Sequence, residues 1–100
     1  MDFLVIDSPE AQRDLREIKH YIARDSSDAA ERFGRWLFSK MQILRTHPQI
    51  GRVVPELSNI SIREMIIKNY RVVYEVDLLN RKVIILSYWH AARGTPNVFR

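Results

Sequence analysis

One hundred residues are enough for one domain with one core, and a composition of 46% hydrophobic, 28% charged and 10% aromatic residues excludes a compositionally disordered chain. The absence of cysteine excludes a disulfide framework, a thiolate metal site and a thiol nucleophile, and suits a reducing cytoplasm. The net charge of +4 is uneven: residues 1–50 hold eight Lys/Arg against eight Asp/Glu and residues 51–100 eight against four, so the excess lies in the second half and favours an acidic partner, nucleic acid or an acidic protein segment.

The apolar run at residues 3–6 predicts a short strand ended by Asp7; it is too short for a signal peptide or a membrane span, and a cytosolic chain is expected. "SPE" then announces a helix, with Ser8 as cap, Pro9 in the first helical position and Glu10 at the positive end of the dipole. Ala11, Leu15, Ile18 and Ile22 recur at helical spacing, and the helix should stop near Arg24. "RDSSDAAE" turns the chain into a second helix, with Asp28 and Glu31 at capping-box spacing and Ser27 an equally good cap. Phe33, Trp36, Leu37, Met41 and Leu44 give it an apolar face, and Pro48 and Gly51 end it. So short a connection between amphipathic helices predicts an αα-hairpin.

Residues 47–59, with two prolines and a glycine, predict a loop carrying Arg52 and Glu56. The period then changes. Residues 60–67 and 70–76 are rich in β-branched and aromatic side chains and are separated by Lys68-Asn69, a hairpin turn; "DLLNRK" turns the chain again and residues 83–89 form a third run. The prediction is α+β in the order β-α-α-β-β-β: one domain over residues 1–100, a helical hairpin covering one face of a small antiparallel sheet, and the other face partly open. Leu15, Ile18, Phe33, Leu37, Met41, Val72 and Ile85 should lie in the core.

Arg63 and Arg71 fall in the first two meander strands, and His90 and Arg93 at the end of the third. Neighbouring strands can bring such residues together on one face. Grouped arginines bind phosphate or carboxylate, and a histidine beside them can move protons near neutral pH, which together would suit RNA cleavage. Solvation of the sheet face by the arginines and simple packing of His90 are the competing readings. His20, His47 and His90 are too scattered for a metal-ligand pattern and the three glycines are isolated, so neither a metal nor a phosphate-cradling loop is expected, and no cofactor.

Four stretches in series, "SPEAQRDLREIKHYIARDSSDAAERF" at 8–33, "HPQIGRVVPEL" at 47–57, "IREMIIKNYRVVYEV" at 62–76 and "ILSYWHAAR" at 85–93, carry a likeness. The chain resembles the RelE/ParE superfamily of bacterial toxins, and more closely its ParE branch, the plasmid stabilisation proteins. The resemblance implies a β-α-α-β-β-β fold and a cytoplasmic bacterial toxin held in a hetero-oligomer by a cognate antitoxin with an acidic, apolar segment. It leaves two activities: RelE-like members are ribosome-dependent mRNA endonucleases, and ParE-like members inhibit DNA gyrase. The ribonucleases rely on a basic set with a tyrosine or histidine near the C-terminus. Here the loop offers Arg52 but no lysine pair, and Ala91 follows His90 where one similar ribonuclease subgroup has tyrosine, while Arg63 and Arg71 match positions where either branch carries arginine.

Gyrase inhibition is therefore the expected activity, without enzymatic catalysis. Ribosome-dependent mRNA cleavage, with Arg63, Arg71, His90 and Arg93 as its catalytic candidates, is the alternative, and a non-toxic binding module the third reading. Arg52, Arg63, Arg71, His90 and Arg93 are the expected contacts to target or antitoxin. Of the last two, Arg93 is expected to matter more as a recognition anchor than His90 as a proton carrier.

Overall fold

The computed structural model describes residues 2–93, with the side chain of Arg93 outside that description. Strand β1 (Leu4–Asp7) leads into helices α1 (Pro9–Ala23) and α2 (Ser27–Met41), then a 3-10 turn at Gln42–Arg45. Strands β2 (Arg52–Val53), β3 (Ile62–Ile67), β4 (Tyr70–Asp77) and β5 (Lys82–His90) follow, and a second 3-10 turn spans Ala91–Arg93. Two helices pack on a five-stranded sheet of order β1-β5-β4-β3-β2, as the predicted α+β class requires. Among the described residues no helix is long and apolar enough to cross a membrane.

Helix α1 starts where the sequence places it. The Ser8 hydroxyl accepts the Ala11 N–H at 3.1 Å and donates to the Leu86 carbonyl at 3.4 Å, so one side chain both caps the helix and ties its start to β5. The cap of α2 differs from both predicted candidates. It is Ser26, whose hydroxyl accepts the Ala29 N–H at 3.1 Å. Ser26 is extended (φ −160°, ψ 115°), the geometry in which a cap side chain reaches forward, whereas Ser27 and Asp28 already lie in the helix. Glu31 instead approaches Lys19 across the hairpin at 3.8 Å. The α-helix closes at Met41, before the proline and glycine expected to end it, because the chain tightens into the 3-10 turn that carries Leu44 into the core.

Strands β2 to β5 run antiparallel to their neighbours, and β1 adds a parallel pair along β5, in register from Leu4 with Lys82 to Asp7 with Ile85, which makes the sheet mixed. The helical hairpin after β1 carries the chain away to the far edge of the sheet, so β1 is left to complete β5, setting Val5 beside Val83. The second difference is β2, a two-residue strand inside the predicted loop, pairing Arg52 with Glu64 and Val53 with Arg63. Two residues carry no period that sequence can reveal.

Leu37, Met41, Leu44, Val72, Tyr74, Val83 and Ile85 are buried in the helix-side core, and Leu15, Ile18 and Phe33 pack against it, so all seven predicted core residues lie in or on it. A β-bulge interrupts the β4–β5 ladder at Val73/Tyr74. Asp14 of α1 holds the bulged strand: one carboxylate oxygen accepts from Ser87 Oγ at 3.0 Å and from the Tyr88 N–H at 3.2 Å. Burial raises the Asp14 pKa above the ordinary aspartate value, and the two hydrogen bonds only partly oppose it. A raised folded pKa favours folding below the unfolded value of about 4 and loses that contribution as pH rises through the folded value. Asp14→Asn keeps an acceptor for both donors and cannot ionise. It should therefore gain stability relative to the parent by about 1 kcal/mol or less between pH 4 and 7, read from urea unfolding at both pH values; a gain at pH 4 that vanishes at pH 7 would refute this.

Candidate functional site

The tight turn at Lys68-Asn69, with Lys68 in the left-handed region at φ 53°, sets the β3–β4 register. Arg63 lies opposite Tyr74, Met65 opposite Val72 and Ile67 opposite Tyr70, and Tyr70 in turn lies opposite His90 on β5. Residues directly opposite share a face, so Arg63 and His90 lie on the helix side with the buried Val72 and Tyr74. Arg71, opposite Ile66 and Trp89, lies on the other side with Glu64. The predicted gathering of Arg63, Arg71 and His90 on one face does not occur, because strand residues of opposite parity point to opposite faces.

On the far face the structure assembles an ion network. The Glu64 side chain is entirely buried and stands between two guanidinium groups: Arg52 Nε donates to Oε2 at 2.5 Å and Arg71 Nε donates to Oε1. Arg71 Nη2 also donates to both Glu56 oxygens, at 2.9 and 3.0 Å, bringing the loop after β2 over this face. That contact holds the Glu56 carboxyl below the usual range. Burial works to lower the Arg71 pKa, but the hydrogen bonds and charges of Glu64 and Glu56 together raise it.

Arg63 and Tyr74 fix the loop that feeds this network. Arg63 Nη1 donates to the Gly51 carbonyl at 2.8 Å and the Gln49 carbonyl at 3.2 Å, and the Tyr74 hydroxyl accepts the Gly51 N–H at 2.8 Å. Arg63 Nε is buried without a hydrogen-bond partner. Burial raises the Tyr74 pKa against the lowering effect of the Gly51 N–H. Arg63 thus serves loop closure, and the loop in turn presents Arg52 to Glu64.

His90 belongs to a different setting. Its ring meets Tyr70 edge-on at 5.2 Å, Tyr70 meets Phe33 at 5.1 Å, and Phe33 meets Trp36 at 5.8 Å, over which Lys68 Nζ sits at 4.6 Å. His90 Nδ1 accepts the Ala92 N–H at 3.1 Å, so a neutral ring carries its proton on Nε2. Among the described residues, the cleft beside it, about 440 Å³, is lined by Glu17, Ile18, Tyr21, Ile22, Tyr70 and His90, without Arg52, Arg63 or Arg71. Arg93 closes the 3-10 turn that follows, and its role as an anchor falls on a side chain outside the described residues.

A general acid or base needs a phosphate held beside it. Here no guanidinium group of the described residues lines the His90 cleft, and those of Arg52 and Arg71 already carry carboxylates. Glu64 is the residue that sequence reading missed. Its signal was present: counted outwards from the Lys68-Asn69 turn, Glu64 shares the face of Arg71, and a lone acid there among apolar neighbours needs a cation. Among the described residues no group of three or more His, Asp or Glu side chains is placed to hold a metal ion.

A family model described as "ParE toxin of type II toxin-antitoxin system, parDE" matches residues 5–94. No curated protein sequence matches the chain. Among solved structures, the chromosomal ParDE toxin-antitoxin system from P. aeruginosa contains a chain that is 15% identical and superposes with a TM-score of 0.70, covering 88% of this chain and 95% of that one. The toxin-antitoxin complex RelBE2 from Mycobacterium tuberculosis gives 18% identity and a TM-score of 0.61 over 90% and 99% of the two chains. An arginine-to-alanine double mutant of the E. coli toxin RelE in the free state gives 16% identity and 0.57 over 94% and 88%. At these identities the likenesses are of fold.

Proposed function

This chain belongs to the ParE toxin family of type II toxin-antitoxin systems, and we propose that it acts in the cytoplasm by binding and inhibiting DNA gyrase, with a cognate antitoxin as the partner that neutralises it. The observation that carries this reading is Glu64. A nuclease site needs guanidinium groups free to take up charge developing on phosphorus; here a fully buried carboxylate occupies Arg52 and Arg71 together, and Glu56 adds a second negative charge on Arg71. A phosphate brought to this face would meet fixed negative charge at the point where catalysis requires positive charge. His90, the remaining candidate for proton transfer, stands on the opposite face. Binding to a protein target asks for none of this.

The antitoxin partnership is supported by the family and by the surface. Tyr21 of α1 and Phe38 of α2 are large apolar side chains left mostly in solvent, and the net positive charge suits an acidic segment that orders on binding. The P. aeruginosa and M. tuberculosis structures of the same fold are themselves toxin-antitoxin assemblies.

The test pairs two reactions with one purified preparation: supercoiling by gyrase, and cleavage of mRNA on programmed ribosomes. Supercoiling should be inhibited in proportion to toxin and restored by the product of the neighbouring reading frame, while mRNA stays intact. Ribosome-dependent cleavage without an effect on gyrase would overturn the proposal in favour of the nuclease. His90→Ala should keep most of its inhibition, and Arg93→Ala should lose more of it.

A further inference from the structure

Where the face of a sheet turned away from its helices meets water, its side chains ordinarily alternate to polar ones. Near the β4–β5 turn this sheet departs from that pattern. Leu4 and Ile6 of β1, Ile84 of β5 and Ile62 of β3 all point to the side away from the helices, as their register with Lys82 and Glu75 requires, and the first two are 59% and 39% exposed. The loop after β2 meets this face at its other end, through Glu56 and Arg71.

Two charged groups stand in this apolar strip, and among the described residues neither makes an ion pair. Glu75 is half-buried, with Ile62 and Ile84 opposite it on the two neighbouring strands, and Lys82 is exposed between Leu4 and Asp77. Asp77 feels the Lys82 charge, but its two oxygens accept from the Asn80 N–H at 3.1 Å and from Asn80 Nδ2 at 2.9 Å. Glu75 and Asp77 also line a shallow concavity of about 360 Å³ with Ser61, Leu78 and Leu79. Carboxylates set among apolar walls fit an aliphatic stem that ends in an ammonium, which is a lysine side chain. An acidic segment or a nucleic acid would meet like charge there.

We propose that this end of the sheet is a self-association surface: two copies pack face to face about a two-fold axis, and the Lys82 of each enters the concavity of the other beside Glu75. An isologous contact requires one patch to carry both members of every pair. This patch does, because the lysine that fits the concavity stands on the adjacent strand of the same face. Packing of sheet on sheet also covers Leu4, Ile6, Ile62 and Ile84 together, and it gives the half-buried Glu75 a cation. The pairing does not depend on what the toxin inhibits.

The test is analytical ultracentrifugation of the full chain, freed of antitoxin, from about 1 to about 100 μM. The parent should pass reversibly from monomer to dimer and stop there. Glu75→Lys and Lys82→Glu each set like charges against one another across the axis, so each should raise the dimer dissociation constant by about tenfold or more, with circular dichroism showing a folded chain. Mixed in equal amounts, the two variants face each other with opposite charges at both contacts. The mixture should therefore regain a dimer of nearly the parent's affinity that neither variant forms alone. A parent that stays monomeric throughout overturns the proposal, and so does one that grows beyond two copies, which is the mark of a head-to-tail contact. A mixture no tighter than its components overturns the pairing of Lys82 with Glu75 even where the parent dimerises. Where Glu75→Lys does not fold, the mass of the parent and the loss in Lys82→Glu decide, and a Lys82→Glu chain that dimerises like the parent overturns the proposal.

Discussion

Glu64→Gln is expected to destabilise the folded chain by about 3 kcal/mol, measured by urea unfolding. The carboxylate is fully buried and accepts from Arg52 and Arg71 on its two oxygens. Glutamine keeps one acceptor but turns an N–H donor toward the other guanidinium, so a buried ion network loses its charge balance and gains a donor facing a donor. Removing one partner of a buried pair costs about 3–5 kcal/mol. The lower end applies because Arg52 is 65% exposed and can return to water, and Arg71 keeps Glu56. Adding Arg71→Gln should recover part of the loss, since the two residues form one network; a strictly additive double variant would contradict it. The same substitution should raise affinity for RNA at low salt and steepen its salt dependence, because two guanidinium groups lose the carboxylate they share. An unchanged affinity in fluorescence anisotropy would mean that Glu64 is not what keeps this face from binding polyanions.

Gly51→Ala should cost a similar amount, about 3 kcal/mol, although it adds only a methyl group. A Cβ at this position would stand 2.5 Å from the Glu64 carbonyl oxygen and 2.6 Å from the Tyr74 hydroxyl. The first is strand backbone and the second belongs to a side chain with no exposed surface, so neither can yield cheaply. Overpacking of this kind costs roughly 1–3 kcal/mol, and displacement of the buried Gly51–Tyr74 hydrogen bond adds about 1–3 kcal/mol in the same place. Tyr74→Phe tests the mechanism: it removes one of the two obstacles, so Gly51→Ala should be less costly in the Tyr74→Phe background than in the parent, by denaturant midpoint at constant slope. An alanine variant as stable as the parent would show that the loop moves freely, and Arg63 would then have no closure to maintain.

Both predictions concern contacts that join residues 49–56 to β3 and β4, and these are the contacts least visible in the sequence. Helix α1, the hairpin and the three long strands were legible because each repeats a period over several residues: Ala11, Leu15 and Ile18 at helical spacing, and the β-branched runs around the Lys68-Asn69 turn. The α2 cap was misplaced by one or two residues because "SSD" offers three capping side chains in succession, and only the extended backbone at Ser26 selects among them. Strand β2 was missed because its two residues become a strand only when Arg63 and Tyr74 hold Gln49 and Gly51 against the sheet.

By itself, then, the sequence determined the order of the two helices and the four longer strands, the apolar stripes that meet in the core, and the excess of positive charge in the second half. Those depend on neighbours a few residues apart, where periodicity and turn chemistry act. The tertiary structure alone decided that Arg71 and His90 point to opposite sides of the sheet, that Arg63 closes a loop, and that Arg52 and Arg71 are held by one carboxylate. Charge on a side chain is a local property, but whether it is available to a substrate depends on what the fold places against it. For Arg52 and Arg71 that partner is Glu64, brought to them by strand register and by a two-residue strand, and a shift of one residue would have sent it to the other face.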